Sequence, residues 1–539
     1  MPVPPEELVH WADAAAARTI AAREGAERYT CAAGITPSGV VHVGNFREVM
    51  TVDLVARALA DRDVPVRFIY SWDDFDVFRK VPKGMPQSEM LEANLRRSIA
   101  DVPDPYGEHD SYASHNIAAF EGSLAPMCIE PEFIRQSKRY QQGDYAEGIK
   151  RALEHKETIR GILNQHRATP LAEDWLPLSG FCTACGVDEI DLAWTEGWEV
   201  DVHCRGCGHD ERVDLRQGGK LKLPWRIDWP MRWKEEGVLF EPGGKDHSSA
   251  GGSYDTGREI AEQVYGWVAP QYVAYDFVSV KGMGGKISSS SGGVVTVADC
   301  LEVYEPTLLR WIFASYRPNT EFAISFDLDV IKIYEDYDRA VRLGYQADDG
   351  GKKDKKRQAA RRTLQFASVT HERPEPGTEP PFQPPFRALS MMLQIYDGDL
   401  ERTRNYYVAS GELNTEREHE LFTERATCCW NWIEKHAPEE FRYRVRDEAI
   451  VVPLEGEVRI AIERLAEVLR QNPDIDEKSM LPHAKTLTEG LELERTDLFP
   501  VVYDLVIGRP KGPKLTTLIG NLGAARVLPL LEPSLAAEG

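Results

Sequence analysis

Long apolar runs, basic residues and cysteines are all scarce in this chain. No apolar run reaches the roughly 18 residues that a membrane helix needs. No basic-then-apolar leader or lipidation motif stands at the start. The sequence therefore reads as a soluble, cytoplasmic protein with no membrane partner. Basic residues are outnumbered: 64 lysines and arginines face 87 aspartates and glutamates, for a net charge of −23. That balance argues against a polyanion partner in dilute salt. At about 1 M ionic strength the Debye length falls to about 3 Å and the objection weakens. There are nine cysteines in 539 residues, too few for a disulfide scaffold. Five of them, Cys31, Cys128, Cys300, Cys428 and Cys429, share no ligand spacing and read as buried free thiols.

The other four form Cys182-x-x-Cys185 and Cys204-x-x-Cys207, the spacing of a zinc ribbon. Four thiolates close a tetrahedral site without help from His203 or His209, so the expected Zn²⁺ is structural.

The stretch that organises the chain is Gly34-Ile-Thr-Pro-Ser-Gly-Val-Val-His-Val-Gly-Asn45. Tyr29–Ala33 leads into it as a buried strand, Thr36–Gly39 is turn chemistry, and His42 opens a helix whose Phe46, Met50, Leu54 and Ala58 recur every four residues. Val64–Trp72 follows as a second strand, giving a βαβ unit of a doubly wound sheet. A helix start of this kind favours a phosphate, which Gly39 and Gly44 let approach the backbone. Far downstream a short strand, Tyr275 to Val280, runs into Lys281-Gly-Met-Gly-Gly-Lys-Ile-Ser-Ser-Ser-Ser-Gly-Gly293, a glycine and serine loop carrying Lys286. Trp72-Asp-Asp-Phe-Asp76 puts carboxylates at the second strand's end, and Glu241 to Ser253 is a glycine-rich turn that brings Asp246 and His247 to the same rim. Between them, Trp225, Trp229 and Trp233 recur at helical spacing among prolines, which fits either a core face or a rigid pocket wall.

At this length several domains are expected. These are a nucleotide fold over 1–115, an inserted domain with helical segments such as Tyr145 to His166 and the ribbon over 116–240, the fold's second half over 241–293, a helical junction over 294–372 in which Asp299 to Tyr316 reads as a helix, and an all-helical domain over 373–539. The fold class is thus α/β, a Rossmann-type doubly wound parallel sheet with an inserted zinc ribbon and a helical C-terminal domain. The basic run Lys352 to Arg357, with Arg361 and Arg362, fits either RNA backbone or a solvated surface.

The order of a His-x-Gly-x element after the first strand and a distant Lys-Ile-Ser-Ser-Ser resembles the two signatures of class I aminoacyl-tRNA synthetases. Leu223-Pro-Trp-Arg-Ile-Asp-Trp-Pro-Met-Arg-Trp233, Gly243-Gly-Lys-Asp-His-Ser-Ser-Ala-Gly-Gly-Ser253 and Asp327-Leu-Asp-Val-Ile-Lys-Ile-Tyr334 narrow the resemblance to the class I lysyl enzymes of archaeal type. With the acidic charge, this implies a halophilic source. Asn45 stands where the class often has a second histidine, and Ser289 where it often has a second lysine. The resemblance implies adenylation of lysine by ATP with Mg²⁺, then transfer to the 2′-hydroxyl of the terminal adenosine of tRNA(Lys). It implies His42 and Lys286 as catalytic, and Pro37, Gly39, His42, Gly44, Asn45, Lys286, Ser288 and Ser289 around ATP. Around lysine it implies Gly34, Thr36, Asp73, Trp225, Trp229, His247 and Tyr275, with Asp73, Asp74 or Asp246 as acceptor for the ε-ammonium. Two rivals remain: a glutamyl or glutaminyl enzyme of the same class, for which a pocket arginine would be expected, and a zinc-ribbon RNA-binding protein without catalysis.

Overall fold

Five parallel strands carry the fold: β1 (Tyr29–Ile35), β2 (Val66–Trp72), β3 (Glu132–Arg135), β4 (Val238–Gly244) and β5 (Gln271–Tyr275). They lie in the order β5-β4-β1-β2-β3, so chain order reverses between β1 and β4. In such sheets ligands bind at this reversal, outside the strands' C-terminal ends. The structure, a computed structural model, describes residues 8–248, 251–281 and 294–537.

Cys31, Ala32 and Ala33 are buried, as expected of a central parallel strand covered on both faces. Gly34 pairs with Ser71 at a register where a Cβ would lie 2.7 Å from the Ser71 carbonyl oxygen, so β1 and β2 can run this close only with glycine there. The first connection is α2 (Val43–Ala60), preceded in the chain by α1 (Trp11–Ala22). Phe46, Met50, Leu54 and Ala58 are buried as their spacing predicts, but Val49, Val52 and Val55 are too. The helix is covered nearly all round because α1 and the helix Pro306–Ser315 pack against it outside the sheet.

A third helix, α3 (Tyr112–Leu124), follows β2. On one face of the sheet, Ala32, Ile69 and Ile134 pack with Trp229 and Trp233 of α4 (Trp225–Glu235) and Ala261 of α5 (Ser253–Gln263). Two short strands, β6 (Val278–Val280) and β7 (Phe322–Ile324), pair in parallel, and the N–H of Lys281 continues the ladder to Ile324 O at 2.9 Å. The N–H of Val43 donates to Val295 O at 2.9 Å, joining the first turn of α2 to the chain beyond the second signature.

In the insertion the helical stretch from Tyr145 to His166 is two helices, Ala146–Glu154 and Lys156–Asn164, which meet at His155. Beyond them, Ile190–Ala193, Glu199–Cys204 and Asp210–Asp214 form an antiparallel ribbon, and Ser179–Gly180 pairs with Leu221–Lys222 at its base. Likewise the helix expected over Asp299–Tyr316 is divided by Glu305 into Val297–Val303 and Pro306–Ser315, with proline at the new first turn.

The chain divides into two compact units, residues 1–325 with 339–379, and residues 326–338 with 380–539. Residues 368–385 contain neither helix nor strand. The second unit is all helix among its described elements, running from Phe386–Ile395 to Ala524–Ala536. Its core holds a fully buried Arg425, whose guanidinium donates to Asp338 at 2.9 Å and to Pro384 O at 3.2 Å.

Candidate active site

The loop between β1 and α2 forms a capped helix start. His42 is the N-cap, and its Nδ1 accepts the N–H of Gly44 at 3.0 Å; Asn45 reaches back, its Oδ1 accepting the N–H of His42 at 3.2 Å. Because Nδ1 accepts, the proton of the neutral ring is on Nε2, which leaves that nitrogen as the donor. A Cβ on Gly44 would lie 2.8 Å from the His42 ring, so the imidazole lies over this residue and requires it to be glycine. Asn45 thus completes the cap, in the place where the class often carries a second histidine. Gly34, Thr36, Gly39, His42, Gly44, Asn45, Asp73, Asp246, His247 and Tyr275 all line one cleft of about 500 Å³. Pro37 adjoins it in the loop, and Asn116 donates to its carbonyl at 3.5 Å. Lys286, Ser288 and Ser289 lie outside the described residues.

A second, smaller cavity opens from this cleft between β1 and β4, sharing Gly34, Glu48, Asp73, Trp225 and His247 as walls. Trp225 and Trp229 stack at 5.0 Å between centroids, and His247 stands 5.9 Å from Trp229. Trp233 and Trp229 are buried while Trp225 is 37% exposed, so the α4 tryptophans run from core to pocket wall. Both expectations for this stretch hold, each at one end.

At the base stand two carboxyl groups that the sequence reading did not nominate. Glu48, on α2, accepts the N–H of Gly34 at 3.0 Å and the hydroxyl of Tyr275 at 2.6 Å. Glu241, on β4, accepts the indole N–H of Trp233 at 2.6 Å. Burial pushes each up to about 7, against the downward pull of these hydrogen bonds. Asp73 also lines the cavity, and burial raises it to about 6 although Arg232 pulls it down.

Arg232 is a correction: a pocket arginine was expected of the glutamyl or glutaminyl reading, and one lines this cavity. It is the only arginine or lysine among the described residues lining the cavity, held between Asp73 at 2.8 Å and Asp228 at 3.1 Å. Those two carboxylates occupy it, and Glu48 and Glu241 remain as surplus negative capacity. Asp74 is a second correction. It points away from the cavity, its carboxylate accepting both the backbone N–H (2.8 Å) and the hydroxyl (2.7 Å) of Ser137. Asp76 is held by Lys222 at 2.6 Å and by the hydroxyl of Thr36 at 2.8 Å.

The four ribbon cysteines also converge. Cys182 and Cys207 sulfurs lie 3.7 Å apart, Cys185 and Cys204 sulfurs 3.6 Å apart, and all four fall within 4.8 Å of one another. A zinc tetrahedron with bonds of about 2.3 Å requires S···S distances of about 3.8 Å. Each Cys-x-x-Cys turn closes on a glycine at positive φ, Gly186 and Gly208, whose N–H returns to the carbonyl of the first cysteine. His203 pairs with Asp210 instead.

A doubly wound sheet opening at its reversal onto a His-x-Gly-x helix start, beside a second, smaller cavity, is the arrangement of a class I aminoacyl-tRNA synthetase. The family described as tRNA synthetases class I (K) matches residues 9–369. The chain is 42% identical to the lysine–tRNA ligase of Treponema pallidum, over 98% of this chain and 99% of that one. It is 43% identical to the lysine–tRNA ligase of Borreliella burgdorferi over 96% and 98%, and 38% identical to that of Pyrococcus furiosus over 96% and 98%. The chain belongs to the class I tRNA synthetases of lysine. Its relatives are both bacterial and archaeal, so the type is broader than the archaeal one expected.

Proposed function

We propose that this protein joins lysine to tRNA(Lys), selecting the amino acid by the buried carboxyl groups of Glu48 and Glu241. The observation that carries this reading is a cavity whose one arginine is already neutralised and whose base holds two further carboxyls. A glutamate or glutamine side chain would meet excess negative charge there. An ammonium group would meet charge-assisted acceptors, and its methylene chain would lie along Trp225, Trp229 and Tyr275. Asp73, committed to Arg232, shapes the field and is the weaker acceptor; Asp246 lines the outer cleft. Gly34 and Thr36 then face the amino acid's α-amino and carboxylate end.

In the first step a lysine carboxylate oxygen attacks the α-phosphorus of ATP. The new O–P bond forms as the bond to the β-phosphate oxygen breaks, and pyrophosphate leaves with the electron pair. The second step passes the lysyl group to the 2′-hydroxyl of the terminal adenosine and releases AMP. The chain's contribution is placement and fixed donors. The first-turn N–H groups of α2 and Nε2 of His42 face the phosphates along Pro37, Gly39, Gly44 and Asn45, and Lys286, with Ser288 and Ser289, takes the departing pyrophosphate. Mg²⁺ bound to ATP would neutralise phosphate charge. Zn²⁺ on Cys182, Cys185, Cys204 and Cys207 holds the ribbon together, and the helices of 373–539 read the anticodon. The acidic surface suits a cytoplasm of high salt, and loss of helical signal on dialysis into dilute buffer tests this.

The direct test is pyrophosphate exchange into ATP across all twenty amino acids in molar potassium chloride, with and without tRNA. Exchange with lysine alone is expected. Exchange with glutamate or glutamine would overturn the specificity, and none at all would favour a non-catalytic RNA-binding protein. Lys286→Ala is expected to slow adenylation roughly 100- to 1,000-fold, the cost of one preorganised donor; a loss under about tenfold would remove that role.

A further inference from the structure

We infer that a groove at the edge of the sheet, separate from the nucleotide cleft, binds the phosphate backbone of tRNA through Arg18, Arg317, Lys355 and Lys356. This rests on the proposed joining of lysine to tRNA and adds a contact surface to it. The groove, of about 620 Å³, is walled by α1, by β5, by the turn after the helix Pro306–Ser315 and by the helix Asp354–Ala367. All four belong to the first compact unit, and none of the lining residues is shared with the cleft that holds His42.

Charge is the first observation. The chain has 87 acidic residues against 64 lysines and arginines, yet no aspartate or glutamate lines this groove. Arg18 and Arg317 do, both are exposed, and among the described residues neither guanidinium has a hydrogen bond or an ion pair. Nearby carboxylates are already engaged. Asp13, the one acid of α1, is claimed by Arg62 at 3.1 Å and Arg362 at 2.6 Å. Asp276, whose N–H donates to Pro318 O at 2.9 Å, pairs with Lys245 at 3.1 Å. The local charge is therefore positive in an acidic protein, which suits a polyanion.

The basic run that opens the helix Asp354–Ala367 extends this charge. Its arginines are structural: Arg357 is held by Asp349 at 3.0 Å and Asp354 at 2.8 Å, Arg361 by Asp348 at 3.4 Å, and Arg362 by Asp13 and Asp61. Its lysines are not. Lys355 and Lys356 are exposed and have no partner among the described residues. Lys355 stands one turn before Ala359 and two before Thr363, the residues with which this helix walls the groove, and Lys356 stands three before Ala359. Both lysines thus continue the same stripe of the helix. Of the two readings the sequence allowed for this run, the arginines take up the fold and the lysines are left for RNA backbone.

Trp11 is the second observation. It lines the groove, and its indole N–H is shielded from solvent without an acceptor. Buried donors are normally bonded, and a ribose or phosphate oxygen supplies the partner when the ring turns into the groove. His10, beside it, adds no charge. Its Nδ1 accepts the N–H of Ala12 at 3.2 Å, its Nε2 meets Ala314 O at 3.0 Å, and burial pushes it down to about 4. Exposed guanidinium and ammonium groups recognise phosphates and carry no base readout, so the surface contributes affinity and not tRNA identity.

The test is the salt dependence of tRNA(Lys) transcript binding to the full-length protein, by filter retention from about 50 to 200 mM KCl. Arg18→Gln and Arg317→Gln are each expected to lower the slope of log affinity against log salt by roughly 0.7–0.9, and the double variant by about twice that. Lys355→Gln with Lys356→Gln is expected to lower it further. Arg18→Lys and Arg317→Lys are expected to keep the wild-type slope, because a phosphate contact needs the charge. Lysine-dependent pyrophosphate exchange at saturating tRNA is expected to stay unchanged in all of them. A benzophenone side chain placed at Asn319, exposed on the groove's rim, is expected to crosslink to the transcript. Unchanged slopes with tight wild-type binding, or no crosslink from Asn319, would overturn the surface and leave the joining of lysine to tRNA in place. A wild type that binds no tRNA would overturn both.

Discussion

Glu48→Gln isolates the charge proposed to select lysine. The replacement is nearly isosteric, and its carbonyl oxygen can still accept the Gly34 N–H now bonded to Oε1 at 3.0 Å. Tyr275, whose hydroxyl now donates to Oε2 at 2.6 Å, can turn to accept from the new amide. The fold therefore survives, and what is lost is a charged acceptor at the base of the cavity. A hydrogen bond to a charged group contributes about 1.5–3 kcal/mol, which corresponds to roughly 10- to 150-fold in affinity. The expected result in lysine-dependent pyrophosphate exchange is a lysine KM raised by that factor with the KM for ATP within about twofold of wild type, because Glu48 also lines the smaller cavity, where the lysine side chain is proposed to sit. A lysine KM raised less than about threefold, or equal rises for lysine and ATP, would refute the assignment.

In wild type, Glu48 and Glu241 titrate near 7 in the empty cavity, and an ammonium ligand prefers them ionised. The lysine KM is therefore expected to rise as pH falls from 8 to 6, with Glu48→Gln flattening the profile; a pH-independent KM would count against both groups. The same raised values mean that the ligand-free protein holds extra protons between about 4.5 and 7, so these groups reduce stability as pH rises through that window, and lysine should restore it. Thermal melts at pH 5.5 and 7.5, with and without lysine, check the sign. Gly44→Ala sets a methyl 2.8 Å from the His42 ring and is expected to raise the KM for ATP while leaving that for lysine in place, as exchange kinetics would show. Cys185→Ser is expected to lower metal content by one equivalent and to abolish the ribbon's independent protection in hydrogen exchange; a variant with full zinc content would argue against the four-thiolate set.

What could be read from sequence was local. The β1 turn and α2 were legible because their signals fall within a dozen consecutive residues: a small-residue strand, Thr-Pro-Ser-Gly, and a four-residue apolar spacing. The four ribbon cysteines were legible for the same reason, since each pair closes one turn. The boundaries that failed are also local in cause. His155 and Glu305 interrupt patterns whose periodicity continues across them.

The carboxyls of Glu48 and Glu241 could not be read this way, because nothing near them in sequence marks them. Glu48 sits in a helix whose spacing advertises core. It becomes a ligand only when β1 brings the Gly34 N–H and β5 brings the Tyr275 hydroxyl to its two oxygens. In a chain with 87 acidic residues composition cannot single it out, and the pairing of Arg232 with Asp73 joins residues far apart in the chain. Asp73 and Asp74 illustrate the limit from the other side. Both lie just past the end of β2, where the alternation of strand side chains no longer applies. Their position in the chain could not say which of them lines the cavity. The choice is made by Ser137, just past β3, whose backbone N–H and hydroxyl claim Asp74 and leave Asp73 for Arg232. The site is thus specified by which carboxylates the surrounding fold has already neutralised. The two that it has not are the acceptors proposed for lysine.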